Sequence, residues 1–85
     1  MLDKLEGAEL ENPLEGARPA GVVVVSVHFA SAMWRNGLRP DDLILAVELD
    51  RVGSLDELRS ALAKVAWPFA LEIARDGRRV QIVVP

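Results

Sequence analysis

The last third of the chain alternates between apolar residues and polar or small ones. In two runs on either side of Asp76-Gly77, every second position is apolar: Phe69, Leu71 and Ile73, then Val80, Ile82 and Val84. Successive side chains of a β-strand point to opposite faces, so a period of two predicts strands, and an Asp-Gly pair between two such runs predicts a two-residue hairpin turn. We therefore expect the chain to end on a β-hairpin.

A helical period precedes this hairpin. Apolar residues recur at spacings of three and four, at Leu55, Leu58, Ala61, Leu62 and Val65. Ser54 and Glu57 form the Ser-x-x-Glu pattern of a capping box, which satisfies amide groups at a helix start. The residue before a proline is disfavoured in helical geometry, so Trp67-Pro68 should stop the helix. The sequence thus predicts a long helix over 54–65.

A shorter helix is predicted earlier in the chain. Ser31 is a suitable N-cap, Asn36 is the expected last helical residue, and Gly37 lies where the backbone must turn left-handed. Pro40 and the aspartates after it favour a tight turn. The apolar run from Leu43 to Val47 is too short for a helix, so we expect a buried strand there.

Two further strands complete the pattern. Val22 to Val27 is almost entirely β-branched, which favours a central strand buried on both faces, and Ala8 to Glu11 reads as a short strand. The Glu-rich segment between them contains Asn12-Pro13 and Arg18-Pro19 and is expected to be a solvated loop. Together these elements predict a mixed β fold with two helices, arranged as a small, partly open barrel or sandwich capped by one long and one short helix. The first strand would lie at an edge of the sheet, beside a helix.

The short helix and the turn after it also carry a family signature. Ser31-Ala32, then Gly37-Leu38, then Asp42-Leu43-Ile44 resemble the Ser-x-Ala-x4-Gly-Leu-x3-Asp-x-Ile signature of bacterial PDZ domains. The flanking elements fit the same family, so the resemblance covers nearly the whole chain. Leu5 to Leu10 is most similar to the opening strand of the second, C-terminal PDZ domain of Deg/HtrA serine proteases.

The resemblance implies a peptide-binding groove between edge strand 8–11 and helix 54–65. A peptide would add to the sheet as an extra strand, and the amides of Glu6, Gly7 and Ala8 would hold its terminal carboxylate. On the helix, Leu55, Arg59 and Leu62 would face the groove, while Leu58, Ala61 and Val65 would face the core; a single wide core stripe is the alternative. The expected peptide-binding residues are Leu5, Glu6, Gly7, Ala8, Glu9, Leu10, Leu55, Arg59 and Leu62. Glu6 and Glu9 place negative charge there, opposed only by Lys4 and Arg59.

Composition limits the classes of protein that fit. Eighty-five residues, half of them hydrophobic (51%), predict one small globular domain over 1–85, and no apolar run is long enough for a membrane segment. A net charge of −3 argues against a nucleic-acid surface, and the lack of cysteine excludes disulfides and thiolate zinc sites. The N-terminal residues lack the order of a signal peptide, so an export signal would belong to a larger parent. The resemblance implies a periplasmic location.

The sequence gives little support for a catalytic or metal-binding site. His28 follows a strand with no nucleophile or carboxylate at a recognisable spacing, and we interpret it as a loop histidine. The acidic residues are better explained as the solvent face of the first strand and the loop than as a cation site: Glu6, Glu9, Glu11 and Glu15. Arg75, Arg78 and Arg79 flank the hairpin turn and are expected to be solvated. No cofactor or metal is predicted.

The sequence allows two roles for one of the two tryptophans and predicts one role for the other. Trp34 is equally compatible with a lid on the core and with an anchor at a protein interface, and Trp67 is expected to pack over the end of the long helix. The favoured hypothesis is a non-enzymatic peptide-binding module whose parent is a serine endopeptidase. The alternative is a structural module that contacts neighbouring protease or PDZ domains through Trp34 and the sheet edges.

Overall fold

The computed structural model describes residues 3–85 and shows an antiparallel sheet with two helices. The strands of the described residues are β1 (Ala8–Glu11), β2 (Val22–Val27), β3 (Leu43–Val47), β4 (Asp50–Arg51), β5 (Phe69–Arg75) and β6 (Arg78–Val84). The helices are α1 (Ala32–Arg35) and α2 (Leu55–Lys64), and a 3-10 turn over Asp3–Leu5 precedes β1. This architecture confirms the predicted fold class. The prediction about the N-terminal segment includes Met1 and Leu2, which lie outside the described residues.

The order of strands is β1-β2-β3-β5-β6, with the short β4 paired to β3. The sheet therefore has β1 at one end and β6 at the other, and β2 is central, as predicted. The prediction that β2 is buried on both faces is wrong. Val22 and Val24 are buried, but Val25 is 43% exposed, because only one face of this strand packs on the core.

A single apolar cluster lies between the sheet and the helices. It includes Leu5 from the 3-10 turn, Leu58 and Leu62 from α2, and Phe69 and Ile73 from β5. The alternating residues of the hairpin point inward as predicted, and the turn residues Asp76 and Gly77 both have positive φ, at 52° and 77°. Two consecutive positive φ values are the signature of a tight type I′ hairpin turn.

The cap residues of α2, Ser54 and Val65, match the predicted range 54–65, and the start agrees with the predicted capping box. The Ser54 hydroxyl accepts from the Glu57 amide at 3.2 Å, and the Glu57 carboxylate accepts from the Gly53 amide at 2.7 Å. The helix ends at Lys64, before Trp67-Pro68, because Val65 already has extended geometry with φ −105° and ψ 150°. The local effect of the proline is therefore not what ends this helix.

The short helix and the turn after it match the prediction. The Ser31 hydroxyl accepts from the Trp34 amide at 3.3 Å, and Gly37 has φ +108°. The Asp42 carboxylate then closes the turn by accepting from the Arg39 amide at 2.8 Å. The signature residues are thus turn and cap residues with identifiable structural roles.

The prediction that the hairpin arginines are solvated is wrong for Arg75. Its guanidinium donates to both carboxylate oxygens of Asp42, at 2.8 and 2.6 Å, and to the Gly37 carbonyl at 2.7 Å. Asp42 is only 1% exposed, so this pair joins the turn to the hairpin inside the fold. The hydrogen bond from Asp42 raises the pKa of Arg75 above its ordinary value. Arg78 and Arg79 are exposed as predicted.

Residues 3–85 contain neither a candidate membrane-spanning helix nor a candidate metal-binding cluster. No helix there is long and apolar enough to cross a membrane. The same residues contain no group of three or more His, Cys, Asp or Glu side chains placed to hold a metal ion.

Candidate functional site

The loop before β1 is held against the start of α1. The Gly7 carbonyl accepts from the His28 amide at 2.8 Å, and the Ser31 hydroxyl donates to the His28 carbonyl at 2.6 Å. Gly7 has φ +99°, and a Cβ placed on it would lie 2.2 Å from the Cβ of Ser31. Both the backbone geometry and the space therefore require glycine at this position.

His28 is exposed and belongs to the loop between β2 and α1. Its Nδ1 accepts from the Ala30 amide at 3.1 Å, and its ring stacks on Phe29 with centroids 5.2 Å apart. These contacts are local, in agreement with the interpretation of His28 as a loop histidine. Phe29 itself is 75% exposed, a feature that the sequence reasoning did not single out.

The strand side of the candidate groove has an apolar and an acidic face. Along β1, Ala8 and Leu10 are half-buried against the core, whereas Glu9 and Glu11 are exposed. Glu6 in the preceding loop is also exposed. The acidic residues thus lie on the solvent side, as predicted, and β1 pairs on one side only within the sheet of the described residues.

The three residues of α2 that were expected to face the groove differ in their exposure to solvent. Leu55 is half-buried and Arg59 is exposed, with its guanidinium 3.1 Å from the Asp56 carboxylate. Leu62 is only 4% exposed and belongs to the core cluster together with Leu58. The apolar residues of α2 therefore contact one continuous core, with Leu55 at its margin.

Two side chains connect the ends of β1 to the ends of α2, and sequence reasoning missed both roles. The Asn12 side-chain oxygen, just after β1, accepts from the Leu55 amide at 2.7 Å. Before β1, the Lys4 ammonium donates to the carbonyls of Leu62 and Val65 at the C-terminus of α2. We call Lys4 and Asn12 the groove tethers. Each tether satisfies a terminal backbone group of the helix that has no partner within it.

The tryptophans differ in their environment. Trp34 is half-buried against the core, and the Arg39 guanidinium lies over its ring at 3.7 Å from the centroid. This placement fits the interpretation of Trp34 as a lid. Trp67 is 50% exposed and packs against Phe69, with ring centroids 5.1 Å apart.

The charges around the candidate groove are mostly negative. The nearest cations named from the sequence are Lys4, which donates to the end of α2, and Arg59, which pairs with Asp56. Among residues 3–85, none of the ion pairs includes Glu6, Glu9 or Glu11. The solvent face of β1 thus carries carboxylates that form no ion pair in the described part of the chain.

Comparisons with known proteins agree with this geometry. The family model described as PDZ domain matches residues 3–85. A curated relative, the periplasmic pH-dependent serine endoprotease DegQ of Escherichia coli (strain K12), is 32% identical over 80 residues, which are 94% of this chain and 18% of the relative. The chain therefore spans about a fifth of the length of that protein.

Solved structures share the fold. The HtrA3 PDZ domain bound to a phage-derived ligand (FGRWV) has a TM-score of 0.79 at 20% identity, covering 92% of this chain and 79% of that one. The HtrA-type protease AlgW with decapeptide has a TM-score of 0.68 at 22% identity, covering 91% of this chain and 26% of that one. The family model matches all of the described residues and establishes that the chain belongs to the PDZ domain family, within which it is similar to DegQ and to the HtrA-type structures.

Proposed function

We propose that this chain is a peptide-binding module of a Deg/HtrA-type serine protease and captures peptide C-termini or extended segments by β-strand addition. The observation that carries the proposal is the placement of β1. It lies at the edge of the sheet, is connected at both ends to α2 by the groove tethers, and follows a loop whose glycine has φ +99°. An edge strand offers unpaired backbone groups, which is what an added strand requires.

The loop would supply the terminal contact. Amides of Glu6, Gly7 and Ala8 would donate to the carboxylate of the bound peptide, and the last side chain would enter the space between Leu5 and α2. Leu55, Arg59, Glu9 and Leu10 would complete the contact surface. Two relatives support this use of the fold, since HtrA3 and AlgW are described in complex with peptides.

The parent protein would supply the chemistry. By analogy with DegQ, we propose that the catalytic domain lies elsewhere in a longer periplasmic protein and that residues 1–85 form one domain, most similar to the second PDZ domain of that family. Unfolded protein segments would then be the natural ligands, held near the protease by this module. The module itself would use no metal or cofactor and bind no nucleic acid.

Titration calorimetry with a peptide that ends in valine tests the proposal. If loop amides hold the terminus, each charge-assisted hydrogen bond contributes about 1.5–3 kcal/mol, so amidating the terminus should weaken binding at least about tenfold. Glu6→Gln should tighten binding modestly because it removes a charge that repels the carboxylate, and Arg59→Ala should weaken it. Arg78→Ala, at the exposed hairpin, is the matched control. Equal affinity for the free and amidated peptides would exclude capture of the terminus.

A structural contact module is the second candidate. It is favoured by β6, which lies at the other end of the sheet order and carries Val83 at 58% exposure, and by Leu49, which is 97% exposed. Amide chemical shifts distinguish the candidates. Shifts at Gly7 and Leu62 on adding peptide support the groove, whereas shifts at Val83 and Leu49 that depend on protein concentration support the contact module.

A further inference from the structure

The two carboxylates of β1 have neutral neighbours on β2, the one strand of residues 3–85 that pairs with it. Glu9 lies opposite Ser26, and Glu11 lies opposite Val23. Near this position on β2, Val25 is 43% exposed. Cross-strand neighbours on one face of a sheet interact directly, and opposite charges are the stabilising polar combination. No such charge faces Glu9 or Glu11 from β2.

A half-buried carboxylate of the same sheet has a cationic partner on the neighbouring strand. Glu72 on β5 lies 3.6 Å from the Arg79 guanidinium on the neighbouring strand β6. Arg79 is opposite Ala74, so this is a diagonal cross-strand ion pair. Glu72 of β5 is thus paired with a cation of its neighbour, whereas β2 places no cation opposite Glu9 or Glu11 of β1.

The register of an added strand follows from the loop. If the Ala8 amide takes part in holding the carboxylate, the last residue of an antiparallel peptide lies opposite Ala8. The next residues back along the peptide then lie opposite Glu9, Leu10 and Glu11 in turn. Side chains directly opposite each other share a face. The penultimate residue therefore shares the face of Glu9, and the fourth residue from the end shares the face of Glu11.

From this juxtaposition, and resting on the proposed function, we infer that Glu9 and Glu11 select peptides with lysine or arginine at the penultimate position and at the fourth position from the C-terminus. A long basic side chain fits because its alkyl part can lie along the exposed face of the sheet while its charge reaches a carboxylate of β1. The third residue from the end faces α2 and Leu10 instead, so a charge at that position gains nothing from either glutamate.

The expected effect is modest, because both carboxylates are exposed. A cross-strand ion pair of this kind changes Kd by roughly 1.5- to fivefold. Two lysines should therefore tighten binding by roughly 2- to 25-fold relative to two glutamines, and two glutamates should weaken it. The preference should shrink at high salt, because the Debye length falls from about 10 Å at 0.1 M to about 3 Å at 1 M.

The test uses titration of the folded chain with valine-ended peptides that carry Gln, Lys or Glu at the two selected positions. A further peptide with one Lys moved to the third position from the end controls for net charge. Glu9→Gln and Glu11→Gln should each reduce the preference for Lys, whereas Glu15→Gln, which removes a loop carboxylate, should leave it unchanged.

The outcomes separate this inference from the proposed function. Tight binding of the Lys peptide that weakens in Glu9→Gln supports both. Measurable but equal Kd values for the Lys, Gln and Glu peptides overturn the inference and leave peptide binding intact. If none of the free-carboxylate peptides binds, the proposed function fails and the selectivity fails with it.

Discussion

Replacing Gly7 by alanine should damage the proposed carboxylate loop in two separable ways. The residue has φ +99°, which costs an L-amino acid about 1–2 kcal/mol. In addition, the new Cβ would lie 2.2 Å from the Ser31 Cβ and 2.6 Å from its hydroxyl oxygen. Both distances are far below van der Waals contact, so the loop or α1 must move, at an overpacking cost of about 1–3 kcal/mol. The expected loss in the free energy of unfolding is therefore about 2–5 kcal/mol.

Gly37→Ala is the matched control for the backbone term. Gly37 has φ +108°, close to that of Gly7, but a Cβ there would meet nothing within 4 Å. Its loss should be about 1–2 kcal/mol, from conformation alone. The difference between the two variants in urea unfolding then measures the clash with Ser31.

A double-mutant cycle completes the test. Ser31→Gly removes the atoms that collide with the new methyl group, at the cost of a cap that glycine replaces with a loss of only a few tenths of a kcal/mol. In Gly7→Ala with Ser31→Gly, about 1–3 kcal/mol should be regained relative to the sum of the single losses. Strict additivity, or equal losses for Gly7→Ala and Gly37→Ala, would refute the proposed packing of the loop on α1.

Two further predictions concern the scaffold of the groove. Ser54→Ala should lower the free energy of unfolding by about 1 kcal/mol because the Glu57 amide loses its acceptor, and an unchanged midpoint in thermal melting would contradict the assigned helix start. Arg75→Met should cost about 3 kcal/mol because it leaves the buried Asp42 carboxylate without its cation. Arg78→Met is its control and should change stability by less than about 0.5 kcal/mol in the same urea titration. Equal effects of the two arginine substitutions would show that the pair with Asp42 contributes nothing.

Local signals in the sequence determined most of the elements. The Ser54 and Ser31 caps, the left-handed Gly37 and the Asp76-Gly77 turn act within a few residues, and the structure has each of them where predicted. The period of two in the hairpin and the helical period of α2 depend only on strand and helix geometry. These features predict the elements and the fold class because they need no knowledge of distant contacts, whereas the location of the groove was implied by the family resemblance and stays a prediction.

Contacts between distant parts of the chain required the tertiary structure. Lys4 and Asn12 form hydrogen bonds with the ends of α2 although they are distant from it in the sequence. Arg75 likewise pairs with Asp42, which is distant from it in the sequence. Nothing in the residues adjacent to Lys4, Asn12 or Arg75 indicates these partners, so the sequence analysis placed Lys4 among the charges of the groove, Asn12 in a loop and Arg75 in solvent. The cause of the end of α2 was missed for the same reason, since the proline signal is local whereas the geometry of Val65 and its contact with Lys4 depend on the packed fold.

The faces of the elements also needed the packed structure. A run of β-branched residues predicts a strand, but which of its side chains are covered depends on what packs over each face, and Val25 is left exposed. Likewise, helical spacing places Leu62 on a face of α2 but cannot say whether the core extends to it. Sequence determines periodicity and caps because these are properties of the local backbone. Burial and ion pairing are properties of two surfaces together, so the tertiary structure alone decided them.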